Sequence, residues 1–342
     1  MEYLDILLER LVSATGIGYQ GDIQIVIKQE LDRISIAGKI EGDGSVTGYH
    51  PGTDKTGIMI ACHSDEIGFI VNRIDNSGRI FFSEIGGSDA RILPGQEVVV
   101  HGQETIRGYI GAKPPHLLTA DEAQKVVPIN KLFIDTGLNA ESVRANCQIG
   151  DCITFYSPYR KLSADLRTSK ALDNRVGVAC GIMVMNELVN VHHKTNIYFV
   201  ATSQEEFTGL GAKIQSFRLP VDYNIVIDVT FGDHPELKEH EGFVLGSGPV
   251  IGRGPTVPDK LARILVETAH GLDIPYQFEL STRSTGTDAD FIAFNRSGIP
   301  SCIVTIPVRN MHSPAEIVSL KDIERAIRLI TGFIRNLESE IS

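Results

Sequence analysis

Four short stretches of this chain, residues 58–62, 196–201, 223–228 and 301–305, are almost wholly apolar and rich in β-branched or aromatic residues. Runs of that kind read as buried strands. Helical spacing appears between them. Val178, Ile182, Met185 and Val189 mark one helical face, a helix opens near Gly209, and residues 260–270 read as another. A last helix carries Ile323, Ile327, Ile330, Ile334 and Leu337 on its inner side, with Ser319 and Asp322 placed as its cap pair. Strands alternating with helices predict an α/β fold.

From residue 66 to about residue 160 the texture changes. Short β-like runs at 69–71, 80–82, 97–100, 108–111, 131–135 and 152–155 follow one another, separated by Gly and Asn. Regularly spaced short strands predict a small β-barrel or sandwich, and the barrel is the form expected here. The expected architecture is thus an α/β domain, a mixed sheet flanked by helices, over residues 1–65 and 161–342, with a β-barrel domain over 66–160 inserted into it.

Charge and composition narrow the function. A net charge of -11 argues against a nucleic-acid partner, which selects a basic face. No apolar run approaches the ~18 residues needed to cross a bilayer, and Glu2 and Asp5 stand where a secretory signal carries Lys or Arg. Five cysteines, at 62, 147, 152, 180 and 302, sit mostly inside apolar runs and read as reduced thiols of a cytoplasmic protein.

The strand ends carry the chemistry. His63 with Asp65, the Glu205-Glu206 pair and Asp228 follow the apolar runs, Asp173 precedes a helix, and His312 lies in a loop. In open α/β sheets, sites gather at such strand ends. Two-metal hydrolytic sites use imidazole and carboxylate ligands, one carboxylate bridging ions ~3.5–4 Å apart, and this set supplies that inventory. His63 and Asp65 lie two apart on an extended segment and share a face, so Asp65 is placed to fix the His63 tautomer. Helix capping is the competing role for Asp173 and for Thr287-Asp288. His192-His193 reads as a solvated helix end, and Gly246-Ser247-Gly248 lacks the setting of a dinucleotide loop.

Together these segments resemble the tetrahedral-assembly (TET) aminopeptidases, the glutamyl- and deblocking-aminopeptidase family of the dinuclear metallopeptidase clan. Cys62-His63-Ser64-Asp65-Glu66-Ile67-Gly68 is similar to the family's first metal motif, Ala171-Leu172-Asp173-Asn174-Arg175 to its bridging-aspartate motif, and Gln204-Glu205-Glu206 to its catalytic pair. Asp228-Val229-Thr230 and Met311-His312-Ser313-Pro314 resemble the last two ligand motifs, and Gly111-Ala112-Lys113-Pro114-Pro115-His116-Leu117 a signature of the inserted domain. The resemblance implies a zinc-aminopeptidase-like catalytic domain holding two divalent ions (Zn, Co or Mn). Asp173 would bridge them, His63 and Asp228 would complete one, and Glu206 and His312 the other. Glu205 would be the general base and Asp65 would orient His63. It further implies short peptide substrates and self-association, through the inserted domain, into a large homo-oligomer such as a dodecamer. An N-deblocking hydrolase or deacylase, an endo-glucanase and a non-catalytic relative are the alternatives.

Overall fold

The computed structural model describes residues 2–238 and 241–341. The chain divides into two compact units, one of Met1–Asp65, Tyr159–Met311 and Glu316–Ser342, the other of Glu66–Pro158 and His312–Ala315.

Among the described residues of the first unit, eleven strands form one mixed sheet. Its centre is four parallel strands in the order Ser301–Arg309, Tyr223–Phe231, Gly57–His63 and Asn196–Thr202. These contain the four apolar runs, and they are apolar throughout because helices cover both faces. Side chains alternate across a strand. Ile58, Ile60 and Cys62 therefore face a large core with Ile225, Ile227, Val304 and Ile306, packed against the helices Glu2–Ser13, Leu172–Val189, Asp259–Gly271 and Leu320–Ile341. Met59, Ala61, Val200, Val226 and Ile303 face the other way, into a smaller core with Ala212, Ala289 and Ile292. On that second face the next position of each strand is polar. His63 registers with Thr202, and Asp228 with Thr305. Val226 registers with Ala61, two residues before Asp228 and His63, so the four polar residues form one row. The functional residues therefore begin where this apolar face stops.

The second unit is a closed six-stranded antiparallel barrel, in the order Phe133–Asp135, Ile80–Ile85, Gly68–Ile74, Cys152–Phe155, Glu97–His101 and Thr105–Gly111. Alternate residues such as Phe69, Phe82, Val98, Val100, Ile110 and Ile153 fill it. Its aromatic centre is the edge-on contact of Phe69 with Phe82 and Phe155. The run expected at 131–135 starts later, at Phe133, because Ile129–Lys131 forms a 3-10 turn.

Two local expectations are corrected. Ser319 ends the strand Glu316–Ser319 directly before the helix Leu320–Ile341, but Asp322 is not its cap partner: that carboxylate accepts the N–H groups of Gly246 (2.6 Å) and Gly248 (2.8 Å). His193 is buried, not solvated. Its Nε2 lies 2.6 Å from Nδ1 of His50, and its Nδ1 donates to the carbonyl of Thr195 at 2.8 Å. All five cysteines are buried and none forms a disulfide.

Candidate metal centre and active site

His63 is the last residue of its strand and is only 2% exposed. Its Nε2 lies 3.0 Å from Asp173 Oδ1, 3.6 Å from Asp228 Oδ1 and 3.9 Å from Glu205 Oε2. Ligand atoms of His63, Asp173 and Glu206 all lie within 4.8 Å of one another. An imidazole and four carboxylates from four separate segments, spread over residues 63–228, thus share one place.

Each is delivered by a distinct device. Beyond Thr202 the chain turns through Gln204 at φ 60°, and the Asp65 carboxylate accepts the N–H of Glu205 (3.0 Å) and of Glu206 (3.2 Å). The same carboxylate stands 3.6 Å from His63 Nδ1. Asp65 therefore fixes both a histidine and the acidic pair, one oxygen serving two neighbours. Asp173 sits where the helix Leu172–Val189 has non-helical backbone at Asp173 and Asn174. Asn174 fills the capping role there, accepting the N–H of Gly177 (2.9 Å) while its amide donates to the Ile227 carbonyl (2.8 Å). This frees the Asp173 carboxylate for the cluster, and its backbone N–H donates to Glu316 Oε2 at 3.1 Å.

The electrostatics follow from crowding. Burial lifts the Glu205 carboxyl to about 8, with Asp288, Glu206 and Asp65 adding to the rise and His63 opposing it. Burial likewise carries Asp228 well above the usual carboxylate range. For His63 burial acts downward, yet Asp173, Asp65, Asp228 and Glu205 outweigh it and hold the imidazole well above its ordinary value. Acids that raise one another in a dry setting favour a bound cation, and a mixed imidazole and carboxylate donor set is the one borderline divalent metals take. The residues present fit a divalent centre.

His312 lies at φ 60° in the turn of residues 312–315, which groups with the second unit. Its Nδ1 would stand 3.4 Å from a Cβ placed on Gly87. Asp288 is N-terminal to the short helix Ala289–Ile292 but makes no side-chain cap bond. It is 1% exposed and accepts the hydroxyl of Thr202, the residue in register with His63. Thr287 supplies the local turn bond, accepting the N–H of Ala289 at 3.2 Å. Sequence reasoning missed Glu316 and Thr202, which touch the cluster only through partners remote in the chain.

Comparison with known proteins places the chain in a family. The family described as M42 glutamyl aminopeptidase matches residues 44–329. The lysyl aminopeptidase of Pyrococcus furiosus is 31% identical over 97% of each chain. A TET aminopeptidase from a marine-sediment Thaumarchaeota archaeon superposes with a TM-score of 0.94 at 32% identity, covering 99% of this chain and 98% of that one. The TET1 peptidase of Pyrococcus horikoshii, which can assemble into a tetrahedron or a large octahedral shell, superposes at 0.82 with 25% identity over 97% and 99% of the two chains. With the match running through most of its length, the chain belongs to the M42 glutamyl aminopeptidase family, and its activity is that of an aminopeptidase hydrolase.

Proposed function

We propose that the chain releases N-terminal residues from short peptides with a pair of divalent ions, Zn, Co or Mn, as cofactors and Glu205 as general base. The observation that carries this is the convergence of His63, Asp173 and Glu206 within 4.8 Å, with Asp228 and Glu205 beside His63. Asp173 is assigned to both ions, His63 and Asp228 to one, Glu206 and His312 to the other. The assignment of His312 rests on its motif alone. When bound, the ions polarise the scissile carbonyl and acidify the attacking water. Glu205 takes that water's proton on its carboxylate and delivers it to the departing amine nitrogen, restoring its ionised form. Asp65 keeps the acidic pair and His63 in place throughout.

A glucanase acts through two carboxylates flanking a sugar bond, whereas the acids here crowd one imidazole. Among the described residues no helix is long and apolar enough to cross a membrane. Five buried cysteines with no disulfide among them suit a cytoplasmic setting. The relatives' assemblies support a large homo-oligomer of this chain, dodecameric in the tetrahedral form.

The test is a panel of aminoacyl-nitroanilides assayed after exhaustive chelation and again after addition of Zn, Co or Mn. Turnover should vanish with chelation and return with at least one metal. Full activity in the chelated protein would overturn the reading.

A further inference from the structure

We propose that Glu279 is the acid that receives the side chain of the substrate's N-terminal residue, and that it selects lysine or arginine there. This rests on the aminopeptidase reading of the same site.

Two short strands extend the sheet sideways from the row of functional residues. Val250–Arg253 pairs antiparallel with Ser301–Arg309, placing Val250 opposite Thr305. Gln277–Leu280 pairs parallel with Val250–Arg253, placing Glu279 beside Gly252. Alternation then sets Glu279 on the same face as Val250 and Thr305, hence on the face of Asp228 and His63. The hydrogen bonds agree: Glu279 Oε1 accepts the Thr230 hydroxyl at 2.9 Å and Oε2 the Thr305 hydroxyl at 3.4 Å.

Those two threonines locate the carboxylate. Thr305 is the cross-strand neighbour of Asp228. Thr230 lies two residues beyond Asp228 on the same face, about 6.6 Å along the strand. The Glu279 carboxylate is therefore held about one extended lysine side chain from the assigned metal ligand. A substrate whose α-carbon lies beside the metals would present its first side chain over that span.

The charge has no cation of its own. Among the described residues, the groups acting on Glu279 are the two neutral hydroxyls, and burial raises its carboxyl above the ordinary range. The nearby Arg253 belongs to the opposite face, where its guanidinium stacks on Phe278, 4.6 Å from the ring centroid. A half-buried carboxylate anchored by hydroxyls and lacking a basic partner gains most from an incoming ammonium or guanidinium. The hydroxyls also fix its orientation, so little ordering is needed when a ligand arrives.

The test compares lysyl-, arginyl-, norleucyl- and leucyl-nitroanilides on metal-loaded protein, as wild type, Glu279→Gln and Glu279→Lys. Norleucine matches the lysine stem without its charge. Wild type should favour lysyl over norleucyl in kcat/KM by about 10- to 100-fold, the worth of a charge-assisted contact. Glu279→Gln keeps the shape, with one amide oxygen left to accept a threonine hydroxyl and an amide N–H facing the other threonine oxygen, and should erase that ratio by lowering lysyl turnover toward the norleucyl rate. Glu279→Lys should disfavour both basic substrates. In the wild-type protein, inhibition by L-lysinamide against L-norleucinamide gives the same comparison without any variant, and lysinamide should be the tighter by a similar factor. Equal lysyl and norleucyl rates in wild type, or a ratio that survives Glu279→Gln, would overturn the assignment of Glu279 and leave the peptidase standing. Failure to cleave any of the four under every metal would sink the peptidase reading and this inference with it.

Discussion

At the scale of single residues, the site separates groups that hold from the group that reacts. Glu205 lies 3.9 Å from His63 Nε2, farther than Asp173 or Asp228, and is more exposed than either aspartate. That position suits proton transfer better than ligation. Glu205→Gln keeps the shape and removes the base, so turnover should fall by about 10²- to 10⁴-fold with metal content, read by plasma mass spectrometry, unchanged. Loss of metal together with activity would make Glu205 a ligand instead. Asp65 acts through others, since its two oxygens hold the Glu205 and Glu206 amides. Asp65→Asn replaces one acceptor oxygen by a donor facing an N–H, and metal affinity, measured by chelator competition, should drop about 10- to 100-fold. Affinity equal to wild type would remove that supporting role. Much of this was legible beforehand, because His63, Asp65, Glu205, Glu206 and Asp228 sit at or just past the ends of apolar runs. Asp288 was not. Its position before a short helix mimics a cap, and its actual partner, Thr202, lies 86 residues earlier in the chain.

At the scale of elements, the start of the helix Leu172–Val189 is the most constrained piece. The Asn174 side chain closes on Gly177 so tightly that a Cβ there would meet Asn174 Oδ1 at 2.2 Å. Gly177→Ala must therefore push Asn174 off its bonds to Gly177 and Ile227 and shift Asp173 with it. The expected cost is about 1–3 kcal/mol, seen as a lower melting temperature together with weaker metal binding. A melting loss with unchanged metal affinity would separate the helix start from the site. The strand Val46–His50 carries a second device in the His50–His193 contact. Burial, and then the His193 imidazole, hold His50 below its ordinary value of 6.5. The unfolded chain then binds the proton more readily, so stability present above about pH 6.5 is lost as the pH falls below it. Melting temperature should decline from about pH 7.5 to 5.5 more steeply in wild type than in His50→Gln; parallel curves would show that protonation of His50 does not limit stability in this range. Long apolar strands announced themselves in the sequence because burial on both faces leaves no polar alternation. Val250–Arg253, Gln277–Leu280 and Glu316–Ser319, four residues each, offer too few positions for any period to show, so Glu279 and Glu316 stayed invisible.

At the scale of the whole molecule, the barrel interrupts the chain just past the strand Gly57–His63, at Glu66, and the α/β unit resumes at Tyr159. An insertion of this kind leaves the sheet's own register untouched, because Gly57–His63 still pairs with strands that come later in the sequence. The barrel is thus free to serve a different purpose, and assembly is the one proposed. Its surface is consistent with that role: Leu117, Val126 and Ile149 are largely exposed, Ile149 at 72%. Isolated apolar side chains at a surface are ordinary, so the role of these residues is decided by substitution. Sedimentation should give a particle about twelve times the 37.4 kDa chain mass. Replacing Leu117 and Val126 together by Asp buries charge in any contact they make, and the particle should fall to smaller species while each chain keeps its melting transition. The matching control lies in the α/β unit, where Phe217 and Phe294 are similarly exposed. If Phe217→Asp with Phe294→Asp dissociates the particle and the barrel pair does not, the barrel loses its assembly role and those phenylalanines acquire it. The two outcomes are exclusive at the level of which double variant changes the sedimenting mass, so one set of sedimentation runs decides between them.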